Sequence, residues 1–257
     1  MRYNIALKTD IGIRKETNQD SICVRLAETE KGIIAFAIIC DGMGGLEKGE
    51  VASATVITAF SKWFEKELPY LLAKENCFDE VRYRWERIIK EQNQNIAEYG
   101  RKYHIQLGTT LTVMLINEVG QYIIGHVGDC RAYKITNETL NVLTEDQTVV
   151  AREVKQGRLT IEQAMVDPRK NVLLQCIGAS KVVEPDFIYG DIMPDECYML
   201  CSDGFRHVIS EDEIRQAFRP DNNMDEKMME DNIVRAIEVV KQREETDNIS
   251  VILLKTI

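Results

Sequence analysis

The order of its apolar segments is the feature that most restricts how this chain can fold. In eight short segments the apolar residues alternate with polar ones or form short runs, as in half-buried or buried strands. These segments lie near residues 2–8, 20–27, 33–40, 109–117, 121–128, 130–136, 196–202 and 248–255. Helical spacing of apolar residues instead runs through residues 51–63, 81–99 and 233–240. Two long helices therefore separate two groups of strands, and further helices precede the last strand.

This order predicts an α+β fold. We expect a central sandwich of two mainly antiparallel β-sheets flanked by α-helices on both sides (α-β-β-α). No internal repeat or Pro/Ser-rich linker divides the chain, so a single domain over residues 1–257 is predicted. The segment 147–170 has low apolar content, a capping box at Thr160–Gln163 and a stop at Asp167-Pro168. We expect it to form a small flap with one short helix.

Composition excludes several classes of partner. The chain has 32 Lys and Arg against 42 Asp and Glu, a formal charge of −10, which disfavours binding to nucleic acid. Its longest apolar run, residues 33–40, is far short of the ~20 residues that cross a bilayer, and residues 1–4 start no signal peptide. Seven cysteines without a Cys-x-x-Cys pair favour neither disulfides nor structural zinc. A cytoplasmic monomer without membrane contact is expected.

Two aspartates follow apolar runs and precede glycines. Asp41 comes after residues 33–40 and Asp203 after residues 197–202. Asp-Gly between two strands is a common hairpin turn, which would give both residues a purely structural role. However, a helical pattern follows the first pair, and a capping box at Ser210–Glu213 follows the second. Because no strand returns in either place, we predict that both carboxylates face a ligand.

Asp20, Asp129 and Asp247 also stand at or beside the ends of strand-like segments. Carboxylate oxygens are hard ligands that suit magnesium or manganese better than zinc or copper. The glycine-rich segment 42–49 does not fit a phosphate-binding loop, since Glu and Val occupy positions 50 and 51. Three histidines without a common spacing make a zinc hydrolase or a Ser-His-Asp enzyme a weak alternative.

Six short strings then carry a resemblance to a known family. They are Thr9–Arg14 with Asn18–Asp20, Asp41–Gly45, Leu107–Thr110, Gly125–Arg131, Ser202–Gly204 and Asp247–Ser250. In this order, over nearly the whole length, the chain resembles the metal-dependent protein phosphatase family (PPM, protein phosphatase type 2C). Its bacterial single-domain members are the most similar.

The resemblance implies a ligand set for the metal ions. Asp41 would bridge two Mn or Mg ions, the carbonyl oxygen of Gly42 would be a further ligand, and Asp203 and Asp247 would complete the shell of one ion. Asp20 would act through ordered water.

It also implies roles for two residues outside this two-ion core. Arg14 corresponds to the arginine that grips the substrate phosphate, a role that suits a planar guanidinium. Together with Asp41 and Asp203 it would form the catalytic set. Asp129 resembles the aspartate that, with Asp203, holds a weaker third metal ion in bacterial members.

The implied activity is that of a serine/threonine phosphoprotein phosphatase, in which a metal-bridging hydroxide at a binuclear Mg/Mn centre attacks the phosphate monoester. Its partners would be phosphoserine and phosphothreonine proteins, including a cognate Ser/Thr kinase or that kinase's substrates. The alternative is a catalytically silent regulator of the same fold that binds phosphoproteins. The presence of Arg14 and of the core aspartates argues against this alternative.

The chain departs from the family pattern in two places. Met43 stands where some members have a histidine proposed to protonate the leaving oxygen, so no general acid is assigned. Near the flap, Asp146-Gln147 and Asp167-Pro168 replace the Asp-His and His-Pro of many members. Contacts made by those histidines cannot be transferred. We expect the flap instead to sort phosphoprotein substrates through charges such as Arg152 and Arg158.

Overall fold

The computed structural model describes residues 2–43, 48–72 and 77–257. Its β-strands are β1 Tyr3–Asp10, β2 Asp20–Thr29, β3 Gly32–Asp41, β4 Leu111–Ile116, β5 Gln121–Val127, β6 Arg131–Ile135, β7 Leu140–Val142, β8 Asp186–Asp191, β9 Cys197–Cys201 and β10 Ile249–Thr256. Its α-helices are α1 Gly49–Lys66, α2 Leu68–Leu71, α3 Cys77–Tyr103, α4 Val149–Lys155, α5 Ile161–Val166, α6 Asp203–Arg206, α7 Glu211–Phe218 and α8 Glu226–Gln242. A 3-10 turn covers Pro220–Asn222.

The strands form two five-stranded sheets. Sheet I has the order β1-β10-β9-β6-β7, and sheet II has the order β2-β3-β4-β5-β8. Every pair of neighbouring strands is antiparallel. The prediction of two mainly antiparallel sheets is confirmed.

Three apolar layers hold the fold together. Between the sheets, side chains such as Ile39, Leu200 and Ile252 are fully buried. On the outer face of sheet II, α1 and α3 contribute Trp63 and Trp85, whose rings meet edge to face at 5.5 Å. On the outer face of sheet I, α7 and α8 contribute a third apolar cluster. The predicted α-β-β-α order of layers is confirmed.

Two strands and three short helices, α2, α6 and one of the two flap helices, were not predicted. Strand β8 lies at the edge of sheet II and is only partly buried, so it lacks the apolar alternation that marks a strand in sequence. Strand β7 is only three residues long and also lies at a sheet edge. The flap contains two short helices, α4 and α5, each capped at its N-terminus by a threonine side chain, instead of the single helix expected.

The flap is thinly packed. Helix α4 buries only Val150, and α5 buries none of its residues. Few buried apolar contacts make a segment easy to open locally. Among the described helices, none is both long and apolar enough to cross a membrane.

Candidate metal centre

The five predicted aspartates lie together where the strands of both sheets end. Asp20 opens β2 and is the register partner of Asp41, which closes β3. Asp129 follows β5, Asp203 opens α6 and is separated from β9 by Ser202 alone, and Asp247 precedes β10. The charges of the other four all act on Asp41. The sheet topology therefore gathers residues from five parts of the chain into one acidic cluster.

Burial raises the pKa values of these carboxyls. Burial, followed by the charges of Asp20 and Asp203, raises the pKa of Asp41 well above its usual range. Burial raises the pKa of Asp20 to about 7, although the nearby Ser250 and Ser202 hydroxyls, which form no hydrogen bond of good geometry with its carboxylate, favour the ionised form. The cluster thus carries a negative charge that nearby protein groups only partly compensate.

Three carboxylate oxygens in the cluster have no hydrogen-bond partner among the described residues. They are Oδ1 and Oδ2 of Asp20 and Oδ1 of Asp203, and all three are buried from solvent. A buried carboxylate without a partner is strongly unfavourable unless a cation or a bound water compensates it. These oxygens are therefore available as ligands.

Gly42 is required by a close approach of the backbone. A Cβ atom at this position would lie 2.4 Å from the Gly49 carbonyl oxygen and 2.5 Å from that of Gln19. The Gly42 N–H donates to the same Gln19 oxygen at 3.1 Å. Next to it, the Asp41 N–H donates to the Thr110 hydroxyl at 2.9 Å. The chain beside Asp41 is thus fixed on both sides.

The basic residues of the turn after β1 have different surroundings. Arg14 is exposed and has no hydrogen bond or ion pair with any described residue. Lys15, which sequence reasoning missed, places its Nζ 2.8 Å from Asp247 Oδ1. Burial disfavours its charge, but Asp247, Asp41 and Asp203 together hold the pKa of Lys15 above its usual value. A lysine within a charged segment gives no sign in the sequence that it will contact a distant aspartate such as Asp247.

Asp129 lies beside a second unpredicted cation, Arg206. The Arg206 Nη2 donates to the Asp129 carbonyl oxygen at 3.0 Å and lies 3.8 Å from Asp129 Oδ2. Burial, then the charge of Asp203, raises the pKa of Asp129 to about 7, while Arg206 opposes the shift. Arg206 also reaches Asp146 Oδ2 at 3.1 Å.

His207 connects the cluster to Glu245. Its Nε2 lies 3.4 Å from Asp203 Oδ2 and its Nδ1 lies 3.2 Å from Glu245 Oε2. Burial disfavours the imidazolium, but Glu245 and Asp203 hold the pKa of His207 above its usual value. Glu245 also accepts the backbone N–H of Asp247 at 2.9 Å. His207 and Glu245 therefore orient two of the aspartates.

The positions where the chain departs from the family pattern have structural partners. The Met43 N–H donates to the Gly108 carbonyl at 3.2 Å, whereas the two glycines that follow Met43 lie outside the described residues. Gln147 accepts the Gly128 N–H at 2.8 Å and donates to Asp186 Oδ2 at 2.7 Å. Gln147 thus fixes the backbone immediately before Asp129 and connects it to strand β8.

The donor set fits hard divalent cations in part of the cluster. Within the described residues, no three His, Cys, Asp or Glu side chains converge closely enough to hold an ion as they stand. The unpartnered oxygens of Asp20 and Asp203, beside Asp41, nevertheless supply the all-oxygen chemistry that magnesium and manganese prefer. Asp129 differs, because the guanidinium beside its carboxylate is largely buried and is also held by Asp146, whereas the Lys15 ammonium beside Asp247 is more exposed.

Comparison with known proteins agrees with this arrangement. The family model for protein phosphatase 2C matches residues 13–238. A putative protein phosphatase 2C-type from Streptococcus pyogenes serotype M6 is 31% identical over 252 residues, 97% of this chain and 96% of the relative.

Two solved structures extend the likeness to three dimensions. The S. agalactiae serine/threonine phosphatase superposes with a TM-score of 0.85 at 30% identity, covering 100% of both chains. The catalytic domain of the serine/threonine protein phosphatase PstP, in complex with two manganese ions, superposes with a TM-score of 0.77 at 26% identity, covering 98% of this chain and 97% of that one. The chain therefore belongs to the protein phosphatase 2C family and is a serine/threonine phosphatase of the bacterial type.

Proposed function

We propose that this phosphatase removes phosphate from phosphoserine and phosphothreonine side chains of proteins with the help of two divalent ions, Mn or Mg. The observation that carries the proposal is the set of buried, unpartnered oxygens on Asp20 and Asp203 next to Asp41. Asp20, Asp41, Asp203 and Asp247, with the Gly42 carbonyl, would hold the ions. The family is metal dependent, and the two manganese ions of the PstP complex support a two-ion core.

Bound ions would lower the pKa of water and neutralise the phosphoryl oxygens of the ester. The protein groups have separate tasks. The backbone of Asp41 is fixed by hydrogen bonds with the Thr110 and Thr109 hydroxyls, which would help to direct its carboxylate toward the ions. His207 and Glu245 orient Asp203 and the Asp247 backbone.

The phosphate requires positive charge from the protein as well. Arg14, proposed from the family resemblance, lies in the turn after β1 beside Lys15. Lys15 has the closer contact with the acidic cluster, because its Nζ lies 2.8 Å from Asp247 Oδ1. We propose that this turn supplies the cation that binds the phosphate, with Lys15 as the stronger candidate.

The substrates proposed are phosphoproteins, among them a Ser/Thr kinase that opposes this enzyme or the proteins which that kinase modifies. Phosphoprotein binding without hydrolysis is disfavoured by the retained core aspartates. A silent binding protein would have no need for buried carboxylates that lack partners, since they lower its stability.

Metal-dependent turnover tests the proposal. We expect hydrolysis of a small aryl phosphate and of phosphothreonine peptides with manganese or magnesium, and none after chelation. Asp41→Asn should lower kcat/KM on the order of 100-fold or more, the size of the effect seen when one preorganised electrostatic group is removed.

The matched control is Asp212→Asn, which removes an exposed carboxylate from α7. It should leave turnover and metal dependence unchanged. Full activity in chelator, or near-native turnover by the Asp41 variant, would refute the proposed core.

A further inference from the structure

Arg206 is the last residue of helix α6, and its guanidinium lies inside the acidic cluster. The side chain is only 13% exposed. One nitrogen, Nη2, lies 3.0 Å from the Asp129 carbonyl oxygen, 3.1 Å from Asp146 Oδ2 and 3.8 Å from Asp129 Oδ2. The contacts with the backbone and with Asp146 fix the guanidinium at the side of the Asp129 carboxylate.

Asp146 already has another arginine. Arg131 donates to its two carboxylate oxygens at 2.8 and 2.9 Å, a bidentate pair of the strongest kind. Asp129 has no other arginine or lysine partner within the described residues. Asp129 is therefore the carboxylate whose charge depends on Arg206.

Packing alone does not explain this position of Arg206. Its Nε is buried and has no hydrogen-bond partner in the described part of the chain. A buried N–H without a partner destabilises a fold. Arg84 and Arg219 also have a buried Nε without a hydrogen-bond partner among the described residues, so what distinguishes Arg206 is its place in the acidic cluster, where its Nη2 lies 3.8 Å from Asp129 Oδ2.

A divalent ion on Asp129 would conflict with this guanidinium. An ion bound to Asp129 Oδ2 would lie about 2.1 Å from that oxygen. It would then lie within about 6 Å of Arg206 Nη2, since the oxygen and the nitrogen are 3.8 Å apart. Two positive charges this close in a largely buried site repel each other strongly. Lys15 beside Asp247 is more exposed and has a flexible stem, and His207 beside Asp203 can lose its proton, so both can make room for an ion. Arg206 keeps its charge and is held in place by Asp146 and the Asp129 carbonyl.

We propose that Arg206 is the permanent counter-ion of Asp129 and takes the place of a metal ion there, so that this phosphatase binds ions in its core and none at Asp129. This inference rests on the two-ion core of the proposed function and departs from the third ion implied by the family resemblance. Asp129 and Arg206 then hold each other in place at the edge of the metal centre and do not bind an ion. The positive charge that Arg206 provides does not depend on the concentration of free metal.

The test is the number of manganese ions bound per chain. It is measured by equilibrium dialysis with elemental analysis and by electron paramagnetic resonance of Mn²⁺. Wild type should bind about two ions, as expected of a binuclear site. Arg206→Gln keeps a donor for the Asp129 carbonyl but removes the charge, and it should gain one weaker ion. Arg206→Lys keeps the charge and should not gain it.

Two further variants make the test specific. Arg131→Gln removes the other arginine of Asp146, which leaves Arg206 in place, so its stoichiometry should equal that of wild type. Adding Asp129→Asn to Arg206→Gln should abolish the gained ion. Circular dichroism spectra establish that each variant is folded.

The outcomes separate the two proposals. Three ions in wild type, no gain in folded Arg206→Gln, or an equal gain in Arg131→Gln would overturn the role of Arg206 while leaving the two-ion core intact. No bound ion in wild type would overturn the core itself.

Discussion

At the scale of single residues, Lys15 and Arg14 differ in surroundings more than in charge. They are adjacent in the turn after β1, yet the Lys15 ammonium touches Asp247 while the Arg14 guanidinium is exposed. An exposed cation contributes little binding energy because water screens it. A cation held at the site of chemistry can contribute much more.

Replacement of each residue in turn separates their roles. In manganese-loaded enzyme, Lys15→Met should weaken inhibition by inorganic phosphate roughly tenfold or more, the usual loss for a hydrogen bond between charged groups. KM for a small aryl phosphate should rise in parallel. Steady-state inhibition kinetics measure both quantities.

Arg14→Met removes the same charge one position earlier and is the matched control. It should change the inhibition constant by less than about twofold, since water screens the charge of an exposed guanidinium. The reverse ranking of the two variants would assign phosphate binding to Arg14.

Sequence reasoning identified the acidic cluster but not the residues that balance it. Asp41 and Asp203 were recognisable because a carboxylate between an apolar run and a glycine stands out. Lys15, Arg206 and His207 lie in ordinary charged or mixed segments. Only the close approach of strand ends from distant parts of the chain reveals their contacts with the aspartates.

At the scale of elements, the flap formed by α4 and α5 exposes more apolar surface than its sequence suggested. Met165 and Val166 on α5 are 67% and 83% exposed. The charges that were expected to contact substrates are largely paired within the flap, as Arg158 is with Glu153. An apolar patch on a thinly packed segment is a better candidate for substrate contact than a paired charge.

We expect Met165→Ser combined with Val166→Ser to lower kcat/KM for phosphoprotein substrates roughly fivefold, equivalent to about 1 kcal/mol of lost apolar contact. A small aryl phosphate cannot reach the flap, so its kcat/KM should stay unchanged. Parallel assays on both substrates test this.

The control combines Val119→Ser and Met224→Ser, which remove apolar side chains of similar exposure outside the flap. This pair should alter neither activity. Equal losses on both substrates in the flap variant would mean that the flap supports the metal centre instead of selecting substrates.

The edge strands and the flap are the parts of the fold that the apolar pattern of the sequence did not predict. The central strands β3, β4 and β10 are almost entirely buried, so their apolar runs were visible in the sequence. Strand β8 is half exposed and contains Asp186 and Asp191, and its assignment depends on pairing with β5. Pairing between distant segments leaves no local signal.

At the scale of the whole molecule, the buried acids make stability depend on pH. The pKa values of Asp20 and Asp129 are raised to about 7 in the folded protein, far above those of exposed aspartates. A carboxyl with a raised pKa stabilises the folded state only while it is protonated, so this contribution is lost as the pH rises through about 7. His207, with its raised pKa, acts in the same direction, whereas His126, whose pKa burial lowers, acts in the opposite direction.

The chelated protein should therefore have a Tm that falls between about pH 5.5 and 8. Manganese should stabilise it more at the upper end of this range, because ligand carboxylates must be ionised to bind metal. Thermal melts with chelator and with manganese measure both effects.

Asp20→Asn removes one of the carboxyls whose pKa is raised and should flatten the Tm profile in chelator. A Tm that is constant or rises over this range in the wild-type protein would contradict the expected pH dependence of its stability.

The pairing of β1 with β10 has a consequence for biosynthesis. Strand β1 precedes every other described strand, and its neighbour in sheet I is β10, which follows them all. During translation β1 therefore remains without its sheet partner until the segment that contains Asp247 and β10 has left the ribosome. Sheet I and the acidic cluster are then completed together, so a nascent phosphatase should remain inactive until β10 has been made.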